Sequence, residues 1–319
     1  MTKTNGRAVR AAGMMAVIYL GAFANQQLSA QEWRMRQVEP LPPPAVETNS
    51  ANVETLNPRT VGETSETTDL GPQIVLQPRR APVLSVYSDT QYLFDSNVAL
   101  TPNDQTSDEI FFETLGAAYT PKLVDQLTSS IYVRQQFVLY DQQVDLNFYA
   151  QTAGLSLAYP IKDWFTMYGG FAASRLFSTS DEHEFYKEFD TQFGLWRAQP
   201  LGRGLSLYYG YQFDWLASSG SDLTQSDLSQ VENAIYGGVN WQLANQWTAQ
   251  FLYRFRARDY LQAGRTDVDN LASLAVTYTF NQYVNVRAYV SYGNDDSNRG
   301  EFSYDVVNVG GGLNLSARF

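Results

Sequence analysis

The pattern that most constrains the fold of this chain is the alternation of residues over its last segment. Between Tyr304 and Phe319 the odd-numbered positions are apolar or small, and the even-numbered positions are small or polar. Successive side chains of a β-strand point to opposite faces of the sheet, so such a segment has one apolar face and one polar face. The segment is therefore predicted to be a long amphipathic strand that ends on an aromatic residue.

Similar alternating stretches recur from Val83 onward and are separated by connections that are alternately short and long. The predicted strands are 83–95, 110–120, 127–140, 147–159, 164–177, 185–198, 205–216, 229–242, 247–259, 270–280, 284–293 and 302–319. The predicted short turns are Pro121–Gln126, Pro160–Asp163, Gln199–Gly204, Leu243–Gln246 and Asn281–Tyr283, and no proline is expected inside a strand. An even number of strands with short turns at one end and long loops at the other is typical of a transmembrane barrel. The predicted fold class is all-β: a transmembrane antiparallel up-and-down β-barrel of about 12 strands.

The alternative is a soluble β-sandwich, because the strands of a sandwich also alternate. The predicted strands are about twice as long as is usual in soluble sheets. Beyond residue 30 the chain contains only three lysines, Lys122, Lys162 and Lys187, whereas a soluble domain would expose more. Strand length and composition therefore favour the membrane barrel.

The first 82 residues differ from the barrel region. Lys3, Arg7 and Arg10 precede the apolar run 11–24, and small residues lead up to Ala30, as in a cleaved secretory signal peptide. The next segment is rich in proline and lacks periodicity, so it is expected to stay flexible. The predicted domains are a signal peptide (1–30), a flexible periplasmic Pro-rich segment (31–82) and an outer-membrane β-barrel (83–319). A plug or a partner-binding tail is the alternative for the Pro-rich segment.

Aromatic residues cluster beside the predicted short turns. Amphipathic rings favour the headgroup layer of a membrane, so these residues are predicted to form a membrane girdle in contact with outer-membrane lipid. They are Tyr119, Tyr159, Trp164, Trp241, Trp247, Phe280, Tyr283 and Phe319.

Charged residues on the polar faces are predicted to line the lumen, since only water or a charged partner can accommodate them there. The predicted lumen-lining residues are Arg134, Glu188, Asp190, Asp214, Glu232, Arg254, Arg256, Arg258 and Arg287, and Arg175 is expected to join them. If Trp241 and Trp247 face each other across their turn, Glu232 lies opposite Arg256. The next hairpin back would bring Glu188 near Asp214.

Two interpretations of these opposed charges remain open. They are typical of a porin constriction, where a transverse field orders water and screens solutes. In a narrow barrel they could instead neutralise one another and fill the lumen. A third hypothesis is that the arginines bind an acidic sugar, because guanidinium groups match carboxylates.

No residue pattern indicates catalysis or a cofactor. The single histidine, His183, lies in the acidic segment 181–184 without a marked nucleophile, and there is no cysteine. Asp267, Asp269 and Asp295 are assigned to acidic outer loops, where carboxylates are usually solvated rather than bound to metal. We expect a non-enzyme with no cofactor, no metal and, given the net charge of −11, no nucleic-acid partner.

The segments 92–98 (YLFDSNV) and 310–319 (GGGLNLSARF) resemble the opening and closing strands of Gram-negative outer-membrane β-barrel proteins of the porin type. The resemblance covers about three quarters of the chain. It implies periplasmic chaperones, insertion by the barrel-assembly machinery and contact with lipopolysaccharide in the bacterial outer membrane, with the N-terminal arm in the periplasm. The predicted function is a passive channel for small hydrophilic solutes. The alternative is a non-conducting structural or interaction barrel, for example an accessory of polysaccharide export or surface adhesion.

Overall fold

The computed structural model describes residues 83–121, 123, 126–162, 164–220 and 228–319. In this part of the chain twelve antiparallel strands form a closed barrel, and each strand pairs with its neighbours in sequence. The strands are β1 Leu84–Asp95, β2 Asp108–Tyr119, β3 Thr128–Tyr140, β4 Phe148–Ile161, β5 Phe165–Ser178, β6 Glu184–Gly202, β7 Leu205–Gly220, β8 Gln230–Ala244, β9 Trp247–Tyr260, β10 Arg265–Asn281, β11 Val284–Ser297 and β12 Tyr304–Arg318. The predicted signal peptide and Pro-rich segment lie outside the described residues.

The barrel closes where β1 pairs with β12. The pairing runs from Ser85 opposite Arg318 to Asp95 opposite Asn308. Closure leaves no strand with unpaired backbone groups, which is the condition that a sheet must meet to lie in a bilayer. The predicted fold class, an antiparallel barrel of about 12 strands, is confirmed.

The alternation of β12 separates its two faces as expected. Val309 exposes 50% of its surface and Phe319 72%, whereas the even-numbered Asn308 and Asn314 expose 3% each. The apolar odd positions therefore face outward and the polar even positions face the barrel interior. Among the residues that the structure describes, no helix is long and apolar enough to cross a membrane.

Several strands extend further than predicted. β10 begins at Arg265 rather than at residue 270, and β11 continues to Ser297 rather than ending at 293. The expectation that proline avoids the strands is wrong, because β4 includes Pro160 and β6 includes Pro200. Both prolines lie close to a turn, and Pro200 adjoins a register shift, so few ladder hydrogen bonds are lost there.

Five inward-facing tyrosines lie over glycines of an adjacent strand. Each pair is in direct cross-strand register: Tyr87 and Gly116, Tyr132 and Gly154, Tyr168 and Gly194, Tyr208 and Gly238, Tyr236 and Gly210. A Cβ atom added to Gly194 would lie 2.3 Å from the Tyr168 ring, so these positions admit only glycine without movement. The rings can therefore lie against the wall instead of projecting across the interior.

Apolar side chains also occupy parts of the interior. One buried cluster lies on β1–β6 and the adjoining loops and includes Phe112, Val138, Phe148 and Leu176. A second cluster lies on β4–β10 and includes Trp196 and Leu252 together with three of the inward tyrosines. The inner wall thus combines apolar packing with the charged groups described next.

Candidate functional site: the charged interior

Three arginines on β9 form a ladder on the inner face of the barrel. Arg254, Arg256 and Arg258 are two residues apart, and this spacing brings side chains to one face of a strand. Arg256 and Arg258 each expose only 6% of their surface. Charged groups buried to this extent require partners, and β8, β10 and β11 supply them.

Arg256 joins the two strands that flank β9. Its Nη1 donates to Oε2 of Glu232 on β8 at 3.2 Å, and its Nε donates to Oδ2 of Asp269 on β10 at 2.5 Å. The expected opposition of Trp241 and Trp247 is wrong, because β8 continues to Ala244, the turn has only two residues, and Trp241 lies opposite Ala249. Glu232 is instead directly opposite Arg258, and its ion pair with Arg256 runs diagonally.

Arg258 reaches further around the wall. Its Nη2 lies 2.6 Å from Oδ2 of Asp295 on β11, 3.6 Å from Oδ2 of Asp269 and 3.7 Å from Oδ2 of Asp267. Arg265 at the start of β10 also donates to Asp267. Arg256 and Arg258 are therefore enclosed by carboxylates and do not form a free cationic surface.

The assignment of Asp267, Asp269 and Asp295 to solvated outer loops is wrong. These three side chains expose 1%, 4% and 0% of their surface and face the interior. Arg265, Asp267 and Asp269 recur every second residue, on the same face of β10 as Leu271. This period of two was the signal that could have identified them, but a run of polar residues is more readily interpreted as a loop.

The adjoining part of the wall, on β6 and β7, is acidic. Glu188, Asp190 and Asp214 expose 1%, 6% and 5%. Oε2 of Glu188 accepts a hydrogen bond from the Tyr186 hydroxyl at 2.9 Å, and Asp214 accepts from Nε2 of Gln212 at 2.9 Å. The expectation that Glu188 and Asp214 lie close together is wrong. Ser218 lies opposite Glu188, four residues beyond Asp214 on β7.

The remaining predicted lumen residues lie apart from the β9 cluster. Arg134 on β3 is buried, and its Nη2 donates to Oγ1 of Thr152 at 3.5 Å. Arg287 on β11 is also buried, with its guanidinium 5.3 Å from the centre of the Tyr289 ring. Arg175 faces outward with 58% of its side chain exposed and pairs with Glu184, so its expected inward direction is wrong.

The predicted girdle residues all lie on the outer face. Each exposes between 40% and 72% of its surface. Trp247, Tyr278 and Phe280 pack together, with ring centroids 4.8 and 4.7 Å apart. Sequence reasoning did not identify Tyr278 or a second set of outward tyrosines nearer the long-loop end, which includes Tyr292; its hydroxyl donates to Oδ1 of Asp305 at 2.7 Å.

His183 lies exposed between β5 and β6. Its backbone N–H donates to Oδ1 of Asp181 at 3.1 Å, and its carbonyl accepts from the backbone of Ser178 at 3.0 Å. Within the described ranges, no group of three or more histidine, aspartate or glutamate side chains is arranged to hold a metal ion. Acidic loop residues 222 and 227 lie outside those ranges.

Comparison with known proteins also indicates a β-barrel. The model of the family described as putative beta-barrel porin 2 matches residues 218–317, which include the arginine ladder and its partners on β10 and β11. No curated protein sequence matches the chain at a significant level.

Solved barrels are similar in fold. An outer-membrane channel from Pseudomonas putida F1 aligns with a TM-score of 0.52 and 9% identity over 75% of this chain and 97% of its own. The translocator domain of the autotransporter NalP from Neisseria meningitidis aligns with a TM-score of 0.42 and 16% identity over 76% and 90%. At these identities the likeness concerns the fold alone.

The described residues form a closed twelve-strand barrel with an apolar outer face, which is the fold of outer-membrane β-barrels, and the segment 218–317 is similar to a porin-type family.

Proposed function

We propose that the protein is a passive channel for small hydrophilic solutes. The observation that carries this proposal is the enclosed network of charges on β8–β11, in which Glu232, Arg256, Asp269, Arg258 and Asp295 are held in fixed positions on the inner wall. Opposite charges fixed on the wall of a lumen orient water and discriminate among solutes by size and charge. A purely structural wall would require no such array, because burying charges is costly.

The proposed passage is narrow and prefers cations. Inward side chains are mostly buried, so the free cross-section suits ions and small polar solutes rather than oligomers. Among the described residues, ten acidic side chains and five arginines are buried. An acidic excess on the wall favours cations by raising their local concentration. An acidic sugar is a weaker candidate, because it would have to displace Asp269 or Asp295 from the arginines.

Single-channel recording in planar bilayers tests this proposal. The wild-type protein should give stepwise openings, and Arg256→Ala should change both their size and their ion selectivity. Arg299→Ala is the matched control, since Arg299 is an exposed arginine beyond β11 and outside the inner wall. Openings that are identical in all three proteins would refute a role of the network in conduction.

The second candidate is a non-conducting structural or interaction barrel. The buried apolar clusters on β1–β6 and on β4–β10 favour it, because they fill part of the interior. This candidate predicts electrically silent bilayers even at several-fold excess of folded protein. The same recordings therefore separate the two candidates.

The proposal includes the route to the membrane. The segment 1–30 is removed as a signal peptide, periplasmic chaperones deliver the chain, and the barrel-assembly machinery inserts it. The Pro-rich segment 31–82 remains on the periplasmic side, next to the start of β1. The protein is proposed to have no enzymatic activity, and an exposed loop histidine such as His183 is not required for function.

A further inference from the structure

The charges of the inner wall are distributed unevenly along the barrel axis. Among the described residues, nine buried acids lie nine or more residues from the short-turn end of their strand. They range from Asp214, nine residues above the start of β7, to Asp267, fourteen residues from the end of β10. We call these nine acids the acidic belt. The only buried arginines at this level are Arg256, Arg258 and Arg265, so the long-loop half of the wall is strongly negative.

The short-turn half of the inner wall has the opposite sign. Arg134 lies six residues above the start of β3, Arg254 seven above the start of β9 and Arg287 three above the start of β11. We call these three arginines the basic belt. Asp89 is the only buried acid in this half of the described barrel, and its carboxylate accepts hydrogen bonds from two side-chain amides. The basic belt therefore keeps an excess of positive charge.

Arg134 shows most clearly that this positive charge is not neutralised by the wall. Its Nη2 donates to Oγ1 of Thr152 at 3.5 Å, and within the described residues its guanidinium has no carboxylate partner. The inner faces of β2–β5 carry one acid, Asp108, and this residue lies at the long-loop end of β2. A cation held in such a wall attracts anions from the lumen, as arginine rings do in anion pores.

The separation of the two belts decides whether their fields act independently. The acidic belt lies on average about six residues further from the short-turn end than the basic belt. In strands tilted by about 40° this corresponds to about 15 Å along the axis. The Debye length is about 10 Å in 0.1 M salt and about 3 Å in 1 M salt. In dilute salt each belt therefore sets the ion concentration at its own level, and in concentrated salt both are screened.

Two belts of opposite sign in series make conduction depend on the polarity of the voltage. When the long-loop side is positive, cations enter through the acidic belt and anions enter through the basic belt, so both ions accumulate in the lumen. When the polarity is reversed, each ion first meets the belt of its own sign. The lumen is then depleted of ions, and the current falls.

We propose that the barrel is a rectifying channel, which passes cations more readily from the long-loop side to the short-turn side and anions more readily in the opposite direction. This inference rests on the proposed channel function and adds a direction to it. The asymmetry concerns current driven by a voltage, because a passive channel moves no solute against its gradient.

Open-channel currents at about 100 mV of either sign, in symmetric KCl, test the proposal. In about 0.1 M KCl the current with the long-loop side positive should exceed the opposite current by at least about twofold, and in about 1 M KCl the ratio should approach one. Glu301→Cys, at an exposed position beyond β11, identifies the long-loop side when a charged, impermeant thiol reagent alters the current from one chamber only.

The outcomes separate this inference from the channel function on which it rests. Stepwise openings with equal currents of both signs in dilute salt, or with the larger current when the long-loop side is negative, would overturn rectification and leave the channel standing. Bilayers without openings would overturn both.

Charge removal on the inner wall tests the role of the belts. Arg134→Gln should lower the current ratio toward one, because it removes a charge from the basic belt. Arg175→Gln is the matched control, since the same charge is removed from a side chain that is 58% exposed on the outer face, and its ratio should equal that of wild type.

Asp190→Asn weakens the acidic belt and should also lower the current ratio, so the test does not depend on the folding of a single variant. Wild-type ratios in both inner-wall variants would overturn the proposal. An equal decrease in Arg175→Gln would overturn it as well, because the asymmetry would then not arise from charges of the inner wall.

Discussion

Replacing Arg256 by alanine removes the guanidinium that joins β8 to β10. Glu232 and Asp269, which expose 3% and 4% of their surface, then lose contacts of 3.2 and 2.5 Å. Breaking a buried ion pair by removing one partner usually costs about 3–5 kcal/mol, because the other charge remains buried. Asp269 keeps Arg258 within 3.6 Å, so the lower end of that range, about 3 kcal/mol, is expected.

Equilibrium urea unfolding of the barrel in lipid vesicles, followed by tryptophan fluorescence, measures this loss. Arg299→Ala is the control and should lose no more than about 1 kcal/mol, because Arg299 is exposed and its side chain donates a hydrogen bond to the Ala263 carbonyl. A double-mutant cycle of Arg256→Ala with Glu232→Ala should give a coupling of about 1–3 kcal/mol. A loss below about 1 kcal/mol for Arg256→Ala would mean that water already screens the pair, which contradicts a buried network.

Three further predictions concern other parts of the chain. Asp214→Asn should reduce the preference for cations, because it removes one acid from the inner wall. The measurement is the reversal potential under a salt gradient, which should become smaller. An unchanged reversal potential would exclude this carboxylate from the solute path. Gly194→Ala should destabilise the barrel by about 1–3 kcal/mol in the same unfolding assay, because the added Cβ overlaps the facing tyrosine ring. Gly300→Ala should be nearly neutral, because a Cβ there meets nothing within 4 Å. Equal effects of the two substitutions would refute the packing argument. Sequencing the N-terminus of the mature protein should show cleavage directly after Ala30, and an intact N-terminus would exclude a signal peptide.

The strands could be predicted from sequence because their pattern is local. The alternation around Val309 and Leu313 in β12 depends on side-chain direction alone, and it located the outward face correctly. Cross-strand register depends instead on turn geometry. The turn between Ala244 and Trp247 has two residues instead of the expected four, and a bulge at Gln242/Ala244 offsets only one residue of the change, so the residue opposite Glu232 is Arg258 rather than Arg256.

Two errors about charged residues have a common cause. Asp267 and Asp269 were assigned to a loop because polarity usually indicates solvent, yet in this barrel the inner wall is also polar. Arg175 was assigned inward for the same reason, since small residues such as Ala172 and Ala173 leave the two faces of β5 hard to tell apart. The burial of Asp267 and Asp269 and the outward direction of Arg175 both accompany ion pairs between strands. Such pairs become apparent only in the three-dimensional structure.

In this barrel the polar faces of the strands are expected to enclose water, and the apolar faces are expected to meet lipid. Because the chain lacks cysteine, Arg254→Cys and Tyr253→Cys, adjacent residues on opposite faces of β9, can each be treated with a charged, membrane-impermeant thiol reagent after reconstitution. Rapid modification of Arg254→Cys with an accompanying change in current, and protection of Tyr253→Cys, is the predicted result. Modification of Tyr253→Cys with protection of Arg254→Cys would contradict the account.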